Sequence, residues 1–259
     1  MTKVSLPRRA PIAVLGFALA AALLPAAPAR ADEVPVAVAA NFAGPLARIA
    51  GGFTAATGHT LKVSSGATGR FYSQIVAGAP FQVLIAADDE TPKKLVAEGH
   101  AVAGTNFTYA IGKLVLWSAQ PGFVDANGDV LASGRFTHLA IANPKIAPYG
   151  QAGLEVIEAR KLTAAITPRL VTAESIAQAY QFVATGNAEL GFVALSQVAV
   201  PGKAPTGSWW VVPQSLYGQI RQDAVLLKTG EKSAGAAALL AYLKSPPALE
   251  VIRAFGYDR

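Results

Sequence analysis

The chain of 259 residues contains no cysteine. It therefore cannot form a disulfide, ligate a metal through a thiolate, use a cysteine nucleophile or carry a lipid on an N-terminal cysteine. Histidine is also scarce, and His59, His100 and His138 match no metal-binding spacing such as H-E-x-x-H. A G-x-S-x-G nucleophile elbow is missing as well. These absences disfavour the common hydrolase and metalloenzyme classes.

Charged residues are sparse, at 15% of the chain against 52% hydrophobic residues, and the formal net charge is +6. Much of that charge comes from Lys3, Arg8, Arg9 and Arg30, in a segment that holds no acidic residue. Without residues 1–31 the net charge falls to +2. Runs of Lys and Arg interleaved with aromatic residues, typical of nucleic-acid binding, do not occur. The composition is that of a globular protein without a nucleic-acid partner.

One long hydrophobic run, residues 10–27, follows the basic N-terminus and leads to Ala29-Arg30-Ala31. A basic start, an apolar run and a small-x-small site together predict a signal peptide over residues 1–31, cleaved before Asp32. The run is short and poorly flanked for a stable membrane span, although an N-terminal membrane anchor remains the alternative. The expected mature protein is soluble, unlipidated and periplasmic.

Short apolar runs then alternate with helical patterns, which predicts βαβ units and an α/β fold with mainly parallel sheets. The predicted strands are 34–40, 61–64, 82–87, 138–142, 169–171, 190–195 and 220–227. A longer strand, 109–118, is predicted to cross between two lobes, and 202–208 is predicted to be a loop. The resulting lobes are 32–112 plus 221–259, and 113–220. In such folds the ligand binds between the lobes, at the carboxyl ends of the strands.

Four strand-to-helix junctions carry unusual chemistry and contain Asn41, Thr68, Tyr149 and Ile176. Helix N-termini present N–H groups without partners and the positive end of the helix dipole, so they bind anions without a formal countercharge. Four ends that converge from two lobes would enclose a small oxyanion. Alternatively, Asn41 and Thr68 are ordinary helix caps. Arg70, beside the second junction, is either a steering charge for anions or a solvated surface charge.

Two other features of these junctions have less specific interpretations. The loop 66–69 is rich in glycine but lacks the lysine and the spacing of a P-loop. Asp88 and Asp89 follow a predicted strand, where paired carboxylates could serve as an acid/base pair or metal ligands but more commonly cap the next helix. An enzyme is therefore not expected.

Several segments together resemble the periplasmic molybdate-binding proteins of ABC transporters. The match covers essentially the whole chain after residue 31, and its combination is more diagnostic than any single segment. The segments are VAANF (38–42), SSGATGRFYSQI (64–75), AGAPF (77–81), AADD (86–89), YAIGKLVLW (109–117), ANP (142–144) and AFGY (254–257).

The resemblance implies a two-lobed type II periplasmic binding fold that holds tetrahedral molybdate or tungstate through hydroxyl and backbone N–H groups. Carried over by position, the ligand-binding residues are Asn41, Thr68, Tyr149 and Ile176, the last two mainly through backbone N–H. The metal is then bound only as its oxyanion, no cofactor is expected, and the partner is a membrane permease. A monomer is expected.

Three departures from the family pattern stand out. Ala194 occupies a position where some members place a ligand-contacting tyrosine, with Tyr149 as a candidate substitute. Asn41 replaces a frequent serine, and Gln82 replaces a frequent acidic residue. The alternative function is a binding protein for another oxyanion, such as sulfate, thiosulfate, phosphate or phosphonate. A direct contact from Arg70 would favour a sulfonate, phosphonate or carboxylate.

Overall fold

The computed structural model describes residues 1–4, 31–204 and 206–259. The chain divides into two units, Met1–Arg30 and Ala31–Arg259. The predicted signal peptide lies almost entirely outside the described residues. Every helix and strand described below belongs to the second unit. Within the described ranges, no helix combines the length and apolar character needed to cross a bilayer.

The strands of the described ranges are β1 (Glu33–Ala39), β2 (Thr60–Gly66), β3 (Val83–Ile85), β4 (Phe107–Gly112), β5 (Leu114–Ser118), β6 (Leu139–Ala142), β7 (Leu170–Ala173), β8 (Leu190–Ala194), β9 (Ser208–Val211) and β10 (Ile220–Leu226). The α-helices are α1 (Ala43–Thr57), α2 (Thr68–Val76), α3 (Glu90–Ala97), α4 (Val130–Ser133), α5 (Pro148–Ala159), α6 (Thr163–Ile166), α7 (Ile176–Ala184), α8 (Leu195–Val198), α9 (Ala234–Tyr242) and α10 (Pro246–Ala254). Short 3₁₀ turns occupy Ala40–Phe42, Thr167–Arg169, Gln214–Leu216 and Lys228–Gly230.

The strands form two five-stranded sheets, with the orders β2-β1-β3-β10-β4 and β7-β6-β8-β5-β9. In the first sheet β1 runs parallel to β2 and β3, while β10 is antiparallel to β3 and β4. In the second sheet β6 is parallel to β7 and β8, while β5 is antiparallel to β8 and β9. The two mixed sheets confirm the predicted two-lobed α/β fold.

Strand β1 shows how the sequence builds the first core. Val34, Val36 and Val38 point to the side covered by α1, α9 and α10, because alternate residues of a strand face the same way. Ala37 faces the other side, where it joins Phe71 of α2. Helices therefore cover both faces of the sheet, which explains the nearly continuous apolar character of β1.

The predicted strand 109–118 does pass from one sheet to the other, but it consists of two strands that are divided at Lys113. Strand β4 ends at Gly112 in the first sheet, and β5 begins at Leu114 in the second. Every residue of β5 is buried, so the apolar pattern continues across Lys113 and does not show that the strand is divided there. A side chain on Gly112 would collide with the Tyr149 hydroxyl and the Gln222 amide, so glycine is required at this crossing.

The predicted loop ends where β9 begins, and the sequence pattern missed this strand. Its tryptophans lie opposite β5, with Trp210 facing Leu116 and Trp209 facing Trp117.

A candidate oxyanion site between the two sheets

The helices that follow β1, β2, β6 and β7 begin on the same side of the molecule and surround one small cavity. The volume of this cavity is about 10 Å³. Its lining residues are all uncharged: Ala39, Ala40, Asn41, Gly66, Ala67, Thr68, Ala87, Ala147, Pro148, Tyr149 and Ile176. All four residues that the sequence singled out are therefore brought together here, from both sheets.

Asn41 is not the helix cap that its position in the sequence suggests. It lies inside the 3₁₀ turn Ala40–Phe42, and α1 begins at Ala43 without a side-chain cap. Its Nδ2 instead donates to Gln222 Oε1 (2.8 Å) and to the Tyr257 hydroxyl (3.0 Å). The side chain is 2% exposed, and its Oδ1 is buried without a hydrogen-bond partner. Tertiary partners thus replace the local cap.

Thr68 is the first residue of α2, and its side chain is fully buried. Its Oγ1 accepts a hydrogen bond from the Ala87 N–H at 3.0 Å. The hydroxyl proton is therefore free to donate into the cavity. The Thr68 N–H is also available, because N–H groups in the first helical turn have no acceptor within the helix.

Tyr149 and Ile176 supply the second sheet's side of the cavity. Helix α5 begins at Pro148, so Tyr149 lies inside its first turn. Proline is favoured there because its fixed φ suits the helix and its missing N–H needs no partner. Ile176 is the first residue of α7, which Ser175 caps by accepting from the Gln178 N–H (3.3 Å). Both backbone N–H groups lack acceptors within their helices.

The electrostatics of the cavity depend on dipoles rather than on charges. The first turns of α2, α5 and α7 carry the positive ends of their helix dipoles. Burial raises the pKa of Tyr149 well above its usual value and that of Tyr257 to about 12, so both hydroxyls stay protonated and neutral. Burial also raises the pKa of the Asp88 carboxyl, although two hydrogen bonds from Thr91 oppose the effect. This arrangement can hold a small anion through neutral donors.

Two contacts join the elements of the two sheets at the rim of the cavity. The Gly69 N–H donates to the Ile146 carbonyl at 2.9 Å, and a side chain at Gly69 would come within 2.9 Å of the Ile146 Cα. Arg70 forms an ion pair with Glu174 at 2.8 Å, although both side chains are more than half exposed. Arg70 does not line the cavity and has a partner, Glu174, that follows β7 of the second sheet.

Three other residues named in the sequence analysis, Asp88, Ala194 and Gln82, do not line the cavity. Asp88 accepts from the Thr91 N–H at 2.7 Å, which is the helix-capping role. Ala194 is buried at the end of β8 and donates to Gln197, and Gln82 precedes β3 with its Oε1 buried and unpartnered. Within the described ranges, no three His, Asp or Glu side chains are grouped so that they could hold a metal ion.

A buried polar cluster behind the cavity was missed by sequence reasoning. It links Asn41 to Tyr109, Gln222 and Tyr257, which lie in or beside the first sheet. It also includes Ser196, which follows β8 of the second sheet. The Ser196 hydroxyl donates to the Asn41 carbonyl at 2.8 Å. Gln222 gave no signal, because a glutamine flanked by Arg221 and Asp223 resembles an exposed strand position.

A larger and more open cleft adjoins the other side of Asn41. It measures about 570 Å³ and lies between α1 and α8. Arg48 and Lys203 stand at its edge, whereas Tyr180, Val200 and Phe255 form apolar parts of its wall. Its size and openness suit solvent better than the tight enclosure of a small ion.

Comparison with known proteins places these observations in a family. Residues 34–258 match the model of the bacterial extracellular solute-binding protein family. Two relatives named molybdate-binding protein ModA align with nearly their full length. The one from Azotobacter vinelandii is 60% identical over 94% of this chain and 96% of its own. The one from Rhodobacter capsulatus is 55% identical over 93% of this chain and 94% of its own.

A solved structure agrees with this assignment. The periplasmic molybdate-binding protein of Azotobacter vinelandii superimposes with a TM-score of 0.85 at 45% sequence identity. The alignment covers 88% of this chain and 99% of that one. On this evidence the chain belongs to the ModA family of bacterial extracellular solute-binding proteins.

Proposed function

We propose that this protein captures molybdate or tungstate in the periplasm and delivers it to the membrane permease of an ABC transporter. The observation that carries the proposal is the convergence of three helix starts and a 3₁₀ turn on one uncharged, buried cavity. The relatives named molybdate-binding proteins support the same ligand.

Neutral donors suit this ligand for a physical reason. A doubly charged oxyanion loses its hydration on entry, and backbone N–H groups at helix starts replace the lost hydrogen bonds without a buried countercharge. Asn41, Thr68, Tyr149 and Ile176 would contact the oxygens only, so no protein atom would ligate the metal. The protein then needs no cofactor and performs no chemistry on its ligand.

The same proposal covers processing and architecture. We infer cleavage of residues 1–31 and a mature, unlipidated monomer in the periplasm. Its lobes would be residues 32–112 with 221–259, and residues 113–220. The strand membership of the two sheets supports this division, because β5 to β9 all lie between the two crossings. Closure of the lobes on the ligand would create the surface that a permease recognises.

Isothermal titration tests the proposal directly. The protein, purified from the periplasmic fraction and freed of ligand by dialysis, is titrated separately with molybdate, tungstate, sulfate and phosphate. We expect tight binding of molybdate and tungstate and at least a hundredfold weaker binding of the two smaller anions, roughly 3 kcal/mol. Binding of sulfate or phosphate in preference to molybdate would overturn the ligand and favour another oxyanion.

A further inference from the structure

Gln222 lies directly behind the candidate oxyanion site and is completely buried in β10. A register shift between Gln222 and Asp223 interrupts the pairing of β10 with β4, and such irregularities redirect side chains. The Gln222 Oε1 lies 2.8 Å from Asn41 Nδ2 and 2.9 Å from the Tyr109 hydroxyl. Its Nε2 lies 3.0 Å from the Tyr149 hydroxyl. One amide thus touches groups attached to both sheets.

This arrangement of hydrogen bonds leaves two defects. The Asn41 Oδ1 is buried with no partner, in a residue that lines the same cavity as Thr68 and the first turns of α5 and α7. The single Tyr109 proton faces two acceptors, the Ala86 carbonyl and the Gln222 Oε1, each at 2.9 Å. Buried acceptors without donors are costly, and an acceptor oxygen beside an anion adds repulsion.

The same atomic positions admit a second arrangement in which both amides are turned over, because amide oxygen and nitrogen are nearly equal in size. It removes the conflict at Tyr109 and places a donor, not an acceptor, at the unpartnered position of Asn41. The Ala86 carbonyl can only accept, so the Tyr109 hydroxyl donates to it. The Tyr109 oxygen then accepts from Gln222 Nε2, whose second proton goes to Asn41 Oδ1. Asn41 Nδ2 now occupies the place of the unpartnered oxygen, and the Tyr149 hydroxyl donates to Gln222 Oε1. The Tyr257 hydroxyl then donates to Asn41 Oδ1, while the Ser196 hydroxyl still donates to the Asn41 carbonyl.

We propose that Gln222 is a positioning and specificity residue of the oxyanion site, whose amide holds that of Asn41 in the second arrangement, so that Asn41 presents Nδ2 to the anion. This rests on the proposed function. A wall made only of donors suits a fully ionised tetrahedral oxyanion such as molybdate. It disfavours an oxyanion that still carries a proton, as hydrogen phosphate does at neutral pH.

A double-mutant cycle tests whether Gln222 acts through Asn41. Gln222→Met, Asn41→Ala and the double variant are titrated with whichever of molybdate, tungstate, sulfate and phosphate the parent binds most tightly. We expect Gln222→Met to weaken affinity roughly tenfold to a hundredfold in the parent. In the Asn41→Ala background the same change should weaken it less than about twofold, because the amide that Gln222 positions is gone.

Selectivity provides a second measurement. The ratio of phosphate to molybdate dissociation constants should fall in Gln222→Met, because Asn41 can then turn its oxygen toward a protonated anion. The matched control is Gln82→Met at a half-buried residue, which removes an amide whose Oε1 is buried but does not line the cavity, and it should leave both affinities unchanged. Ligand-free thermal unfolding of each variant shows whether it is folded.

If Gln222→Met fails to fold, Tyr109→Phe is the second test. It removes only the hydroxyl that fixes the donor and acceptor directions of these hydrogen bonds. Tyr109 does not line the cavity, yet its loss should weaken anion binding about threefold to tenfold and lower the same selectivity ratio. Additive effects in the cycle, or unchanged affinity in Tyr109→Phe, would overturn the role of Gln222. A parent that prefers sulfate would overturn the proposed ligand alone, since the cycle uses the preferred anion. A parent that prefers phosphate would also overturn the selectivity assigned to Gln222.

Discussion

Substitution of Thr68 affects the free energy of unfolding and the affinity for the oxyanion through two different interactions, which can be measured separately. Its Oγ1 accepts from the Ala87 N–H, while its proton is free for an oxyanion. Thr68→Val keeps the shape of the side chain and removes both interactions. Thr68→Ser keeps the hydroxyl and loses one methyl group, so it serves as the matched control.

The two losses have different sizes and appear in different measurements. In the valine variant the Ala87 N–H is left unpaired in a residue that is only 3% exposed, which should lower the free energy of unfolding by about 1–3 kcal/mol. Loss of a donor to a charged oxyanion should weaken affinity by a further 1.5–3 kcal/mol, roughly tenfold to a hundredfold. The serine variant should lose about 1 kcal/mol of stability and little affinity.

Urea unfolding of the ligand-free proteins measures the first effect, and titration with molybdate measures the second. A valine variant that loses stability but binds molybdate like the parent would reduce Thr68 to a structural residue. Unchanged stability would contradict the hydrogen bond to Ala87. Weakened binding in the serine variant equal to that in the valine variant would show that the methyl group, not the hydroxyl, matters.

Three further predictions follow from contacts around the site. Because the Arg70–Glu174 pair is exposed, Arg70→Ala should raise the dissociation rate of molybdate in stopped-flow experiments by no more than about fivefold. Adding Glu174→Gln should cause no further rise in that rate. A complete loss of binding would instead make Arg70 a direct ligand. Gly112→Ala should lower the free energy of unfolding by about 1–3 kcal/mol, since its methyl group collides with Tyr149 and Gln222, whereas Gly51→Ala in α1 has open space and should not destabilise the protein. Burial raises the pKa of Tyr257 to about 12 in the folded protein, so the unfolded chain loses this proton first as the pH rises above 10. The free energy of unfolding should therefore fall by about 1.4 kcal/mol by pH 11 from this residue alone. Urea unfolding at alkaline pH should show a smaller fall in Tyr257→Phe.

The sequence predicted the two-lobed fold and the residues around the cavity because both depend on local signals. Val34, Val36 and Val38 alternate with period two, and Thr68 and Ile176 stand at the first position of a helix. Such patterns reflect backbone geometry that a short segment already contains. The resemblance to a family then supplied the ligand.

The errors and omissions concern contacts between distant segments. The sequence leaves a helix-capping role open for Asn41. Its amide instead forms hydrogen bonds with Gln222 and Tyr257, which lie 181 and 216 residues away along the chain. The ion pair of Arg70 joins it to a residue 104 positions away. The crossing at residues 109–118 was predicted, but its division into two strands at Lys113 was not, because the residues after it are as buried as those before. Single-sequence patterns carry no information about partners at such separations.

The position of β10 in the first sheet has a consequence for the order in which the protein can fold. This strand lies between β3 and β4, although more than a hundred residues separate it from β4 along the chain. The second sheet needs only the continuous stretch from β5 to β9, whereas the first stays divided until β10 arrives. Pairings between distant segments form slowly because a long loop must first be closed. A chain that emerges from its N-terminus should therefore complete the second sheet first, and the oxyanion cavity can appear only when the C-terminal strand joins the two halves of the first.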